Sequence, residues 1–546
     1  MHTRAHFLRV RRMGVSLGAL ALAGAGLMAF GSSAASASSS SGKVLLVGTF
    51  HGKTGRYTSI QSAVNAARPG DWILVAPGDY HEDDDIRTTP TETDEGGYGG
   101  VVVTTSDIHI RGMNRNTVVV DGTKAGSSRC SSAPSAQDFG ATGSDGKALG
   151  RNGIVVFKAD GVSVENLTAC NFLAGTGASG NQIWWDGGAD TGRIGLHGYK
   201  GAYLTATSTY FGGESTAAQY GIFSSNSAGS ASWNQIYASN MNDSGSYVGA
   251  CQQQCGITID HSWMEYNALG YSGTNSGGAV VTENSQFDNN EEGLDTNTQI
   301  GSDPPAPQNG YCPKGATSPI THTRSCWVFE HNDVHNNNNP NTPKAGDAAA
   351  GPTGTGMTIS GGSGDTVMDN TFADNGAWGF LFVPFPDSDT PSLGQTCSGK
   401  GGTEAAGLGC VFEASGGALL HNTFTHDGYF GNPSNSDFGE LVLTAGHPQN
   451  CFAGNKAPQG SSPADLEQTQ PTCNGKPQVA TTGTDPNLLS QVLCDTGFGS
   501  CPAGANYPKL GSVEMHRLPP TSALPSMPNP CSGVPSNAWC PSGKPA

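Results

Sequence analysis

The sequence predicts an all-β solenoid, a stack of short-strand coils with a helix over its N-terminal end and an irregular, cysteine-rich extension at its C-terminal end. Three observations carry the prediction. A pattern with an offset of 23 residues repeats in the middle of the chain. Long amphipathic helices are nearly absent from a chain with 79 Gly, 32 Pro and only 36% hydrophobic residues, which calls for short strands and many turns. One short helical stretch stands directly before the first apolar strand.

Taken in order, residues 1–37 carry Arg4, Arg9, Arg11 and Arg12, an apolar run from Val15 to Phe30, and a small-x-small end at Ala35-Ser36-Ala37. That is the layout of a secretory signal, and the apolar run is too short for a membrane anchor. No later stretch reaches the length of a membrane span, so a secreted, extracellular, monomeric protein is expected. Setting residues 1–37 aside removes four arginines and no acids, leaving 23 basic against 45 acidic residues and a net charge of −22. So acidic a chain lacks the clustered cations that nucleic acid requires.

Residues 38–57 form a lead-in, and the solenoid is assigned to residues 58–455. In "TSIQSAVNAARPGDWILVAPGDYHE", from Thr58, the residues Ile60, Ala63, Val64 and Ala67 fall at helical spacing. Pro69-Gly70-Asp71 stops that helix, Trp72 to Val75 is the first buried strand, and Gly78 to Glu82 turns out of it. The repeat is clearest where "ITIDHSWMEYNALGYSGTN", from Ile257, meets "VVTENSQFDNNEEGLDTNT", from Val280. Asp260 then aligns with Glu283, Ser262 with Ser285, Met264 with Phe287, Asn267 with Asn290 and Gly270 with Gly293. Further copies start at Val164, Ala238, Glu330, Asp369 and His421. Each unit is a strand, an Asn-rich bend, a Gly and a second strand. A unit this small buries its apolar face only by stacking on its neighbours. Asn suits the bends because it tolerates left-handed backbone and can hydrogen-bond from coil to coil.

The period, the Asn-x-Phe-x-x-Asn pattern and the small inward residues resemble right-handed parallel β-helix proteins of the pectin-lyase-like group. The resemblance covers roughly residues 44–455 and implies that the opening helix caps the first coil. Residues 456–546 fall outside it and form a Pro/Gly/Cys-rich extension. The 14 cysteines all follow the signal, and an even number in an exported chain reads as disulfides. Close pairs are expected to bridge as Cys251/Cys255, Cys312/Cys326, Cys397/Cys410, Cys494/Cys501 and Cys531/Cys540; a zinc site at Cys251 and Cys255 lacks a second ligand pair.

The group includes lyases, hydrolases, esterases, epimerases and non-catalytic proteins, so the fold names no reaction. The Gly-x-Tyr-x-Glu turn of pectin methylesterases is matched by Gly78, Tyr80 and Glu82, but their later catalytic motifs are missing. The polygalacturonase motifs are missing as well. Ile259-Asp260-His261 keeps part of a pectate-lyase motif without the arginine motif that should follow.

Charge separates the mechanisms. Between Lys200 and Lys314 there is no Lys or Arg, while ten carboxylates occur. A uronate lyase needs a cationic base and neutralisation of its substrate, whereas glycoside hydrolysis needs two carboxyl groups. In "NNEEGLDTN", inward Leu294 and Thr296 would leave Asp295 and Asn297 facing out, with Ser272 aligned to Asp295 one coil earlier. The candidate catalytic residues are Asp295, Glu292, Glu265 and Asp288, with Lys200 as the base if the reaction is elimination. Asn297, Trp263, Tyr271 and Trp378 are candidates for contact with substrate. No cofactor is assigned apart from calcium as a candidate, for which Asp260, Glu283 and Glu291 are the candidate ligands. The expected function is binding and cleavage of an extracellular polysaccharide, hydrolysis being favoured over calcium-dependent elimination. The rival is a non-catalytic glycan-binding or structural β-helix.

Overall fold

The computed structural model describes residues 42–82, 86–87, 98–188, 196–249, 251, 254–276, 278–300, 327–390, 395–399, 401–470, 473 and 485–546. Its coils form a right-handed parallel β-helix. Each coil gives one strand to a twelve-stranded sheet, and most coils give two short strands to a twenty-stranded sheet that bends between them. The 23-residue offset is the coil-to-coil register: Ile257 pairs with Val280, Met264 with Phe287, and Ser272 with Asp295.

The sequence makes the coils bend and stack for identifiable reasons. At the first bend His261, Asn284, His331, Asp369 and His421 have φ between 47° and 56°, a left-handed conformation that short polar side chains tolerate better than most. The residue after each of these joins a ladder. Ser285, Asn332, Asn370, Asn422 and Asn455 each accept the backbone N–H of the counterpart one coil earlier, at 2.9–3.0 Å. A second ladder runs Asn267, Asn290, Asn337, Asn375 and Asp427. Bend N–H groups that a strand ladder cannot reach are satisfied this way. Inside, the recurring apolar phase stacks Met264, Phe287, Val334, Phe372 and Phe424 on successive coils. Phe372 and Phe424 lie ring on ring, with centroids 5.0 Å apart.

The opening helix spans Ile60–Ala66 and buries Ile60, Ala63 and Val64 against the first coils. The first strand is Val44–Val47, within the expected lead-in, and it pairs in parallel with Trp72–Val75, the strand expected to come first. Glu82 explains the turn that follows Trp72–Val75. Its buried carboxylate accepts Ile60 N–H at 2.5 Å and Gln61 N–H at 3.1 Å, capping the helix from the next coil. Gln61 in turn exchanges hydrogen bonds with Val102 N–H and C=O, substituting for a missing neighbour of the strand Tyr98–Val103.

The C-terminal extension is more than a plug. A helix at Pro486–Asp495 lies on the twelve-stranded sheet, with Leu488 buried against Leu381, Leu441 and Trp378. The chain then runs back along the solenoid as a strap. It pairs with Asn432 at Asn506, with Asn341 at Gly511, with Asn240 at His516 and with Asn166 at Met527. It ends on the first coils, where the Trp539 indole N–H donates to Lys53 C=O.

Four expected disulfides are present: Cys251–Cys255, Cys397–Cys410, Cys494–Cys501 and Cys531–Cys540. Cys312 and Cys326 lie outside the described residues. Cys130–Cys170 and Cys451–Cys473 are two further bridges, joining residues 40 and 22 apart that close spacing does not reveal. Six disulfides among the described residues mark a chain that folds in an oxidising compartment. No helix among the described residues is long and apolar enough to cross a membrane.

Candidate active site

Strand alternation places the site. In the strand Glu292–Asn297, Leu294 enters the core while Asp295 and Asn297 face out of the solenoid. The same outward row runs across the coils as Trp184, Phe223, Tyr247, Ser272, Asp295, Thr358 and Leu381, each in register with the next. It is aromatic, then polar for three coils, then aliphatic. The three polar positions form part of the floor of a cleft of about 550 Å³, together with Glu292, Asn297 and Ser360. Its walls come from the turn at Gly346–Ala350, from Pro384 to Pro386, and from Leu489, Val492 and Leu493 of the C-terminal helix.

Two of the expected catalytic residues meet here. Thr358 Oγ1 lies 2.6 Å from Glu292 Oε1 and 2.8 Å from Asp295 Oδ1. The nearest carboxyl oxygens are therefore no farther apart than these two bonds laid end to end. Asn297 donates its amide to Asp295 Oδ2 at 2.8 Å. Glu292 is only 1% exposed, and burial first, then the charge of Asp295, raises its pKa well above the ordinary carboxyl value. A hydroxyl has one proton, so it cannot donate fully to two carboxylates. The consistent arrangement has Glu292, which burial pushes toward its protonated form, donating to Thr358 and Thr358 donating to Asp295. Gly351 closes over this pair: a Cβ there would stand 2.7 Å from Glu292 Oε2.

Beside the cleft, Glu291 is paired with Lys344 and accepts from the Thr353 hydroxyl at 3.0 Å. Burial outweighs the lysine and moves Glu291 up to about 7. Asp495, at the end of the C-terminal helix, is raised well above its usual range by burial and by Glu291. Lys344 amends the charge picture drawn from sequence, because the acidic coils borrow a cation from a later loop.

The other expected residues lie elsewhere. Glu265 and Asp288 pair in register on the twenty-stranded sheet. The Tyr237 hydroxyl donates to Glu265 at 2.7 Å, and burial lifts Glu265 to about 7. Asp288 accepts from the Trp263 indole at 2.5 Å, and from Gln286 and Asn289. This is a second carboxyl pair, on a different sheet from Asp295. Lys200 begins a strand of that same twenty-stranded sheet and does not line the cleft.

Two expected surface aromatics are corrected. Tyr271 is 1% exposed and belongs to the core, in register with inward Leu294, and Trp378 is fully buried beneath the C-terminal extension, its indole donating to Ser434 C=O. Neither presents a ring to a sugar.

Calcium fits the expected ligands poorly. Asp260 and Glu283 pair in register, but Asp260 is already engaged by Asn234, His261 and Asn284, and Glu291 is held by Lys344. Among the described residues a triad able to hold a metal is Asp79, His81 and Asp121, whose ligand atoms lie within 4.8 Å of one another. Cys130 and Cys170 also converge on Asp121, but they are joined to each other.

Sequence reasoning missed Thr358, Gly351, Lys344 and the helical roof. Thr358 was within reach, because aligning Gly356 with Gly293 sets it opposite Asp295.

No protein-family model and no curated protein sequence matches the chain. Solved structures resemble it in architecture. The A-module of mannuronan C-5 epimerase AlgE4 from Azotobacter vinelandii aligns at a TM-score of 0.38 and 11% identity, over 73% of this chain and 90% of that one. A polygalacturonase from Erwinia carotovora ssp. carotovora aligns at 0.38 and 9%, over 71% and 93%. A family 28 exopolygalacturonase from Yersinia enterocolitica aligns at 0.40 and 11%, over 76% and 75%. The class of protein is a parallel β-helix, and at such distances these likenesses say nothing of its reaction.

Proposed function

We propose that the protein is an extracellular glycan hydrolase, with Glu292 as the acid and Asp295 as the ionised carboxylate. The observation that carries this reading is the Thr358 bridge, which holds two carboxyl groups within hydrogen-bond reach of one hydroxyl on a cleft floor, while burial pushes Glu292 toward its protonated form. Retaining glycosidases place their two carboxyls about 5–5.5 Å apart. In that geometry the acid protonates the leaving oxygen while the carboxylate attacks the anomeric carbon. The covalent intermediate is then hydrolysed by water, with Glu292, now ionised, serving as base. Separating the two ionisation states is what assigns the roles. The Thr358 hydroxyl positions both groups, and Asn297 steadies the nucleophile. Elimination has less support, because no Lys, Arg or His lines this cleft among the described residues.

The test is a panel of neutral and uronic polysaccharides, run with calcium and with chelator, reading new reducing ends and ultraviolet-absorbing unsaturated ends together. New reducing ends alone, surviving chelator and falling by at least about a hundredfold in Asp295→Asn and Glu292→Gln, support the hydrolase. Unsaturated ends that disappear with chelator would overturn it in favour of a lyase. Binding without product on any member of the panel would favour the non-catalytic reading.

A further inference from the structure

The walls of the cleft do not match its floor. The floor offers carboxyl, amide and hydroxyl groups from Glu292, Asp295, Asn297, Thr358 and Ser360, a donor and acceptor set suited to a polyol. The walls are aliphatic and aromatic: Leu269, Leu381, Val383, Val492, Leu493 and Phe498 are among them. Phe498 is 70% exposed and Leu408 37%, and both stand at this cleft. A pocket for an unsubstituted polysaccharide needs hydrogen-bonding edges along its whole length. Apolar walls over a polar floor instead suit a ligand with one wet end and one greasy end. With no cation lining it among the described residues and the carboxyl groups of Asp243, Glu292 and Asp295 present, the cleft offers an anionic head no counter-charge.

We infer that the cleft takes a neutral sugar carrying an apolar substituent, an alkyl, acyl or aryl glycoside, with the sugar on Asp295, Asn297 and Thr358 and the apolar group between the C-terminal helix and Val383. The inference rests on the hydrolase reading for the identity of the head and deepens it: the scissile bond joins the sugar to the apolar group. The aliphatic part of the outward row supports the placement. Leu381 is buried in one cluster with Leu488 and Leu441 and stands in register with Thr358, so the cover of the C-terminal helix meets the polar floor at the cleft. Apolar surface lining such a cleft gains free energy when a hydrocarbon fills it, in proportion to the area covered.

The test uses S-linked alkyl glycosides with six-, eight- and ten-carbon tails, which bind as glycosides but resist acid-assisted cleavage. Affinity for the full-length protein is measured calorimetrically below micelle formation. Each two added methylenes should tighten binding by about tenfold. Phe498→Ala, a change at an exposed position that folding tolerates, and Val492→Asn should each loosen the longest ligand by about fivefold or more. An alkyl sulfate of equal tail length should bind at least about tenfold more weakly. Affinity indifferent to tail length, or an alkyl sulfate binding as tightly as the glycoside, would overturn the inference. The two readings fail separately. Tail-dependent binding without hydrolysis of any O-glycoside removes the hydrolase and keeps the apolar cleft. Hydrolysis of unsubstituted glycans without tail dependence removes only the present inference.

Discussion

Replacing Thr358 by valine removes one hydroxyl and almost no volume. Thr358 is 2% exposed, and its oxygen serves both Glu292 and Asp295. A hydrogen bond to a charged group contributes about 1.5–3 kcal/mol and a neutral one about 0.5–1.5, so at about pH 5 the variant should lose roughly 2–4.5 kcal/mol. The loss should then shrink as pH rises. The bond that neutral Glu292 donates to Thr358 favours the protonated carboxyl, so removing the acceptor lowers a pKa that burial still holds up. An acid whose folded pKa lies above its unfolded value keeps a proton that the unfolded chain releases. Stability therefore falls as pH rises from about 4.5 through the folded pKa, and a lower folded pKa shortens the fall. The gap between wild type and Thr358→Val should narrow by about 1 kcal/mol or more between pH 5 and pH 9. Urea unfolding followed by tryptophan fluorescence measures it, with Glu292→Gln and the double variant completing the cycle. On the Glu292→Gln background the pH dependence of the gap should vanish. A gap equal at both pH values, with additive single variants, would refute the shared-proton arrangement.

Two further predictions concern the frame. Glu440 accepts from Asn450 and Gln470, each at 2.9 Å, and burial raises it to about 7; Glu440→Gln should flatten the fall in stability between about pH 4.5 and 7 by roughly 2–3 kcal/mol, read from urea midpoints across that window. Glu82→Ala strips the cap from Ile60 and Gln61 and should cost about 1–3 kcal/mol, with amide exchange quickening first in Ile60–Ala66; unchanged exchange there would refute the capping role.

Much of the coil was legible because its determinants are local. The offset of 23 residues is the observed register, and the Asn bends form the ladders they suggested. The alternation in "GLDTN" placed Leu294 inside and Asp295 outside. That register also carried the answer for Tyr271, since it aligns with inward Leu294. Long-range contacts were not legible. The Pro486–Asp495 helix is a short amphipathic stretch whose docking site consists of Leu381 and Leu441, and nothing near it in sequence names them. Lys344 reaches Glu291 from a loop 53 residues onward, and Cys130 finds Cys170 across a coil. Such pairings depend on which insertions fold back over which coil, and the repeat says nothing about that.

The roof also bears on the chemistry. An outward row on a β-helix faces water, where a glutamate ionises at its ordinary pKa and Leu381 would be exposed apolar surface. The C-terminal extension and the loop through Gly351 change both conditions. Leu488 covers Leu381, while Gly351 and Leu269 close around Glu292, with Asp495 adding like charge from the end of the helix. Burial is the largest influence on Glu292, ahead of any neighbouring charge. The coil therefore sets where the two carboxyls stand. The segments folded over it keep one of them protonated, so the acid and the carboxylate arise from positions three residues apart on the same strand given different access to water.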